Sequence, residues 1–274
     1  MRSALPSILI ATTLLACTAK RHQDHSEADY TTVKLKEAPV SYPADSINMN
    51  GFVAWDDADS AKRPVVLIVH GWWGLNDYIK DRARQLAKLG YLAMAVDMYG
   101  NGETADNPEK AKQLSMPFYS NPQLAKKRFD AALDKIKTHP VADITRIAAI
   151  GYCFGGGMVL NLARLGENLK GVVSFHGSLL GVPPDKNLLK AQVLVCHGDS
   201  DKFVSNEEVM QFSHQMDSIG AGYSVIRYPN ATHAFTNPAS TENGKKFGLP
   251  IAYNAAADSA SFNDMMSFFD KIFR

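Results

Sequence analysis

The stretch that most constrains this chain is Arg146 to Leu160, Arg-Ile-Ala-Ala-Ile-Gly-Tyr-Cys-Phe-Gly-Gly-Gly-Met-Val-Leu. A short apolar run rich in Ile and Ala, the pattern of a buried parallel strand, leads straight into a periodic apolar segment through Leu162, Ala163 and Leu165, the pattern of a helix. Gly151-Tyr152-Cys153-Phe154-Gly155-Gly156 lies between them and leaves no room for a relaxed loop. A strand that turns this sharply into a helix strains the residue at its tip, and glycines two before and two after the tip allow close backbone approach. The tip side chain then stands beside a helix N-terminus, which favours an anion and eases ionisation of a thiol. This is the nucleophile-elbow pattern with Cys153 where serine is usual.

Three other readings compete. A dinucleotide fingerprint requires glycine where Cys153 stands. A phosphate loop requires Lys and then Ser or Thr after its last glycine, where Met158 and Val159 follow instead. The third is a tight turn around an inert buried cysteine. The elbow reading needs an acid and then a histidine further along the chain.

The N-terminus reads as an export signal: Arg2, then Leu5 to Leu15 mostly apolar, too short to span a bilayer. Leu14-Leu15-Ala16-Cys17 resembles the lipobox of bacterial lipoproteins, which implies cleavage after residue 16 and lipidation of Cys17. Such a residue anchors an otherwise soluble domain. Thr18 rather than Asp after the cysteine points, by the sorting habit of such lipoproteins, to the outer membrane facing the periplasm. Residues 17–30 are polar and unpatterned, a flexible tether. His22 and His25 within it are too few to make a metal site.

Residues 31–274 hold enough apolar sequence for one α/β domain, with no second linker or repeat. The 29 basic and 28 acidic residues become equal once Arg2 leaves with the signal, so charge gives no case for a nucleic-acid partner. Three cysteines are no disulfide framework, although a Cys153–Cys196 bridge is conceivable. Edge strands are expected at 33–37 and 47–55, then a buried strand at 65–69, a helix from 77 to 89 stopped by Gly90, and a strand at 91–96. Residues 104–138, broken by Pro108, Pro117 and Pro122, read as a helical cap over the site. Strands at 171–175, 192–196 and 223–228, with helices at 205–219 and from 255, complete the order. Such alternation means a mostly parallel sheet with helices on both faces and ligands beyond its C-terminal strand ends.

A nucleophilic thiolate needs a base to shuttle its proton and a carboxylate to orient that base. Elbow architectures order them nucleophile, acid, histidine. Here Cys153 is followed by His197-Gly198-Asp199-Ser200-Asp201 and then by His233, the one histidine of eight in a loop just past the last strand. Asp199 and Asp201 both stand in the place of the acid; Asp199 suits a turn-shaping role, which favours Asp201. Acyl transfer also needs two N–H donors for the developing oxyanion, here Phe154 and Trp72. Trp72 and Trp73 would wall an apolar pocket.

With these residues placed, the chain resembles the dienelactone hydrolase family of α/β-hydrolases. The resemblance is carried by Trp72 to Ile79, Asp97-Met98-Tyr99-Gly100, Gly151 to Gly156, Val173 to Gly177, His197 to Asp201 and His233-Ala234-Phe235. It implies an α/β-hydrolase fold, a Cys153-Asp201-His233 triad, an ester or lactone substrate, and neither cofactor nor metal. Two positions depart from the family pattern. Gly71 stands where a glutamate often assists the cysteine, and Thr236-Asn237-Pro238 stands where an arginine holds the substrate carboxylate. An uncharged ester or lactone is therefore expected rather than dienelactone itself, since a carboxylate would lack its charge-assisted partner. The runner-up is a non-catalytic binding lipoprotein on the same scaffold. A redox thiol is a third reading, which lacks a Cys-x-x-Cys partner.

Overall fold

The computed structural model describes residues 33–274. The export signal, Cys17, His22, His25 and the whole of the expected tether lie outside them. One eight-stranded sheet runs through the domain. Its strands are β1 (Leu35–Ala44), β2 (Ile47–Asp56), β3 (Arg63–Val69), β4 (Leu92–Val96), β5 (Ala142–Tyr152), β6 (Gly171–Phe175), β7 (Gln192–Gly198) and β8 (Tyr223–Tyr228). Their spatial order is β1-β2-β4-β3-β5-β6-β7-β8. The β1–β2 and β2–β4 pairs are antiparallel and the rest parallel, so the mostly parallel α/β sheet expected from the sequence is present. β1 starts later and runs further than expected, passing through Pro39 and Pro43, which an edge strand tolerates. Asp45 and Ser46, both at positive φ, close the hairpin to β2, which lies one strand in from the edge.

Alternate residues of β3 face opposite cores. Val65, Leu67 and Val69 join one apolar cluster with Phe129, Phe154, Met158, Leu162 and Phe212, while Val66 and Ile68 join another with Ile79, Leu86, Met265 and Phe269. Helices α1 (Asp77–Lys88) and α7 (Ala255–Ile272) supply the second cluster. The first is supplied by α2 (Pro108–Ser120), α3 (Pro122–Lys137), α4 (Phe154–Arg164) and α5 (Asn206–Ser218). A strand covered on both faces has no polar side, which is why β3 to β7 read as continuous apolar runs.

The expected cap is only partly a cap. α3 buries Phe129, Leu133 and Ile136 against the sheet and is the crossover from β4 to β5. α2 alone reaches the site. Pro117 does not break α2: it and Gln113, whose carbonyl it deprives of a partner, are both exposed. The break falls at Asn121-Pro122. A short helix, α6 (Ser240–Phe247), follows the His233 loop and has no counterpart in the sequence expectations.

Candidate active site

At the C-terminal end of β5 the chain turns into α4 through Cys153, which adopts φ 53° and ψ −115°. A Cβ on Gly151 would lie 2.1 Å from the Gly155 carbonyl oxygen, and one on Gly155 would lie 2.2 Å from that of Val69. Both glycines are therefore forced by close backbone approach, which holds the tip in a strained conformation. Other non-glycine residues at positive φ cluster at the same end of the sheet: His176, Asn230 and Ala234.

Cys153 Sγ lies 3.0 Å from His233 Nε2, and His233 Nδ1 lies 2.8 Å from Asp201 Oδ2. Asp201 is fixed in turn, its Oδ1 accepting the N–H groups of Phe203 (2.8 Å) and Val204 (3.2 Å). Asp199 points elsewhere, paired with the Arg227 guanidinium. Of the two acids considered from the sequence, the structure brings Asp201 to His233. Cys153 and Cys196 are both free thiols, so no bridge joins them.

The ionisation of this group follows from its neighbours. Burial pushes the Cys153 thiol up, but the His233 ring and hydrogen bonds from His233 and the Phe154 and Trp72 N–H groups outweigh it, leaving the thiol below its ordinary value. Burial pulls His233 down, yet Cys153 and Asp201 together raise it. Asp201 is raised by burial but lowered on balance by its bond to His233 and by the two backbone donors. Each partner thus favours the charged form of the other, which biases the pair towards thiolate and imidazolium. Cys196 is pushed up to about 12 by burial, so it does not compete as a nucleophile.

The alkylation by iodoacetamide that is lost in Cys153→Ala should have its pH midpoint below the ordinary thiol value of about 8.5. In His233→Ala the lowering influence is gone and burial remains, so the midpoint should move above that value. An unchanged midpoint would contradict the ion pair.

The turn carrying Trp72 is held by His70 and Tyr99, whose roles no local sequence pattern marks. His70, buried and kept neutral by that burial, donates from Nδ1 to the Gly71 carbonyl (2.6 Å) and accepts the Met98 N–H at Nε2 (3.2 Å). The Tyr99 hydroxyl donates to the Trp72 carbonyl at 3.0 Å. These bonds aim the Trp72 N–H at Cys153, alongside that of Phe154 at the α4 N-terminus.

A second network lies behind the thiol. His176 Nδ1 accepts the Cys153 N–H (3.2 Å) and its Nε2–H donates to Thr236 Oγ1 (2.8 Å), which bonds the Tyr78 hydroxyl (2.7 Å). Arg82 donates to the Thr236 carbonyl at 2.8 Å and pairs with Asp258. Burial and nearby His233 keep His176 neutral, which suits this tautomer. Opening the chain would leave a buried donor unpaired, at about 1–3 kcal/mol. Tyr78 and His176 fall within stretches that carry the family resemblance, but no local pattern marks their pairing with Thr236.

The sulfur faces a cavity of about 350 Å³ whose lining includes Trp72, Trp73, Met116, Tyr119, Phe203 and Ile251. Both tryptophans face this cavity, and Trp73 packs on Phe247 of α6. Among the described residues the lining carries one lysine, Lys112, and no arginine. No group of three or more His, Cys, Asp or Glu side chains there converges as metal ligands would.

An eight-stranded sheet flanked by helices, with a strained elbow after β5 and a histidine loop after β8, is the α/β-hydrolase architecture. A 16% identical acylaminoacyl peptidase from Pyrococcus horikoshii shares that fold, with TM-score 0.65 over 86% of this chain and 41% of the peptidase. The dienelactone hydrolase family profile matches residues 49–273, and the chain belongs to that family. It is a hydrolase of the carboxylic ester and lactone class. A solved dienelactone hydrolase-like promiscuous phosphotriesterase from metagenomic libraries is 32% identical, with TM-score 0.81 over 87% of this chain and 98% of that one. Protein usf of Aquifex pyrophilus is 27% identical over 203 residues, 72% of this chain and 86% of that protein.

Proposed function

We propose that this hydrolase cleaves uncharged carboxylic esters or lactones through a Cys153 acyl-enzyme. The observation that carries the reading is the Cys153–His233–Asp201 chain of contacts at 3.0 and 2.8 Å, with two backbone N–H groups beside the sulfur. The thiolate attacks the carbonyl carbon, and the oxyanion takes the N–H groups of Trp72 and Phe154. The His233 imidazolium gives its proton to the leaving alkoxide as the carbon–oxygen bond breaks, leaving a thioester. His233 then takes a proton from water, the hydroxide attacks the thioester, and the sulfur leaves as thiolate with the acid released. Asp201 holds the ring and stabilises its charged form. The apolar wall, with no arginine and Lys112 as its one lysine, supports an uncharged substrate. A neutral phosphotriester offers the thiolate a similar electrophile, and the likeness to a promiscuous phosphotriesterase supports including one among the substrates tried.

The test is hydrolysis of short 4-nitrophenyl esters by the full chain beside Cys153→Ala. Turnover by the first and none by the second supports the reading. Ligand binding without turnover in either protein would favour the binding lipoprotein instead.

We also infer export and anchoring through Cys17, supported by the Leu14-Leu15-Ala16-Cys17 sequence. Cys17→Ser should shift the protein from the membrane to the soluble fraction of envelope preparations, and membrane retention of that variant would count against a lipid anchor.

A further inference from the structure

The glycines around the nucleophile are glycine for different reasons. Gly156 is excluded from having a side chain by contacts at 2.6 Å to Ser174 Oγ and 2.9 Å to Gly177 Cα, as Gly151 and Gly155 are by backbone. Gly74 adopts φ +90°, and its Cβ would lie 2.7 Å from the Glu103 carbonyl oxygen. Gly71 is unlike all of these. Its φ lies outside the left-handed region, and an added Cβ would meet Tyr152 O at 3.5 Å and Cys153 Cβ at 3.7 Å, ordinary van der Waals contacts. Neither conformation nor crowding requires glycine there. The missing side chain leaves Gly71 as a bare stretch of cavity wall beside the nucleophile, with room for a methyl group, in a cavity that Trp72, Tyr78, Ile79 and Tyr152 also line. The loop does not collapse into that space, because the Gly71 carbonyl accepts from both His70 Nδ1 (2.6 Å) and the Gly74 N–H (3.1 Å).

We infer that Gly71 determines specificity by opening an acyl subsite for uncharged acids with a ring or branch on the carbon next to the carbonyl. The inference rests on the hydrolase reading above. The sheet order assigns the space to the acyl part. His233 arrives from the β8 side of β5 and must protonate the leaving alcohol, so the alcohol lies toward that flank. Gly71 follows β3, which borders β5 on the opposite side. The portion that stays on the sulfur as thioester occupies the flank where Gly71 leaves room. Tyr78, which also lines the cavity, has its hydroxyl already bonded to Thr236, which suits an apolar substituent.

The test compares the full chain with Gly71→Ala and Gly71→Val on two substrate series. One varies the acid at constant leaving group, 4-nitrophenyl acetate against 4-nitrophenyl benzoate. The other varies the alcohol at constant acid, 4-nitrophenyl acetate against 1-naphthyl acetate. Filling a pocket by one methyl group changes discrimination by about 10–200-fold, so Gly71→Ala should lower the benzoate-to-acetate ratio of kcat/KM by that order. Gly71→Val should lower it further, and the naphthyl-to-nitrophenyl ratio should hold in both. An unchanged benzoate ratio, or a shift in the alcohol ratio instead, overturns the acyl assignment. A Tm several degrees lower in Gly71→Ala would overturn the premise that the backbone accepts a side chain there. Absence of ester turnover in the unsubstituted chain would defeat the hydrolase reading itself, and the inference with it.

Discussion

His233→Ala is expected to lower kcat for a 4-nitrophenyl ester by on the order of 10⁴–10⁶, the range seen when the base of such a triad is removed. Two losses act together. The imidazolium that draws the buried Cys153 thiol below its ordinary value is gone, so the thiol becomes harder to ionise. The neighbouring imidazole cannot take over protonating the leaving alkoxide or deprotonating the hydrolytic water: His176, at a ring distance of 5.2 Å from His233, is kept neutral by burial and has both nitrogens occupied. Steady-state kinetics on the folded variant checks this. A loss below about tenfold would show that His233 is not the base, because general acid–base catalysis alone contributes about 10²–10⁴.

Asp201→Asn is expected to cost about 10⁴ in kcat while leaving the fold intact. Asn keeps an oxygen able to accept the Phe203 and Val204 N–H groups, so the loop after β7 retains its backbone bonds. The other terminus becomes an amide donor facing His233 Nδ1, now 2.8 Å from a carboxylate oxygen. That donor favours the tautomer with its proton on Nε2, which cannot accept a proton from Cys153. The negative charge that helps hold His233 protonated is lost as well. Slower turnover should therefore come with a higher thiol pKa, readable from the same alkylation profile. Loss of rate with an unchanged profile would assign Asp201 to the loop and not to the histidine.

Much of this was legible because strand and helix obey different periods and glycine marks forced geometry. β3 is a single apolar run between Pro64 and a glycine-rich turn, and the structure gives it as Arg63–Val69. The elbow was readable because Gly151 and Gly155 have a steric reason that sequence shows as spacing. The chain order Cys153, Asp201, His233 could be read from the strand ends, and folding brings those side chains within hydrogen-bond distance. Other features had no local signal. α6 is eight residues, Ser-Thr-Glu-Asn-Gly-Lys-Lys-Phe, whose one large apolar side chain makes no helical stripe. α3 carries enough charge to read as a surface cap, yet its Phe129, Leu133 and Ile136 stripe decides its place against the sheet. The His176–Thr236–Tyr78 chain joins positions 60 and 158 residues apart, a pairing that only the fold creates.

The central claim, that Cys153 takes the acyl group, is tested most directly by intact-protein mass spectrometry of the full chain rapidly quenched in acid during turnover of 4-nitrophenyl acetate. The account predicts a transient gain of one acetyl group, mapped to the peptide containing Cys153 and lost in Cys153→Ala. Ester turnover that continues undiminished in Cys153→Ala, or an acetyl group mapped to another residue, would contradict it.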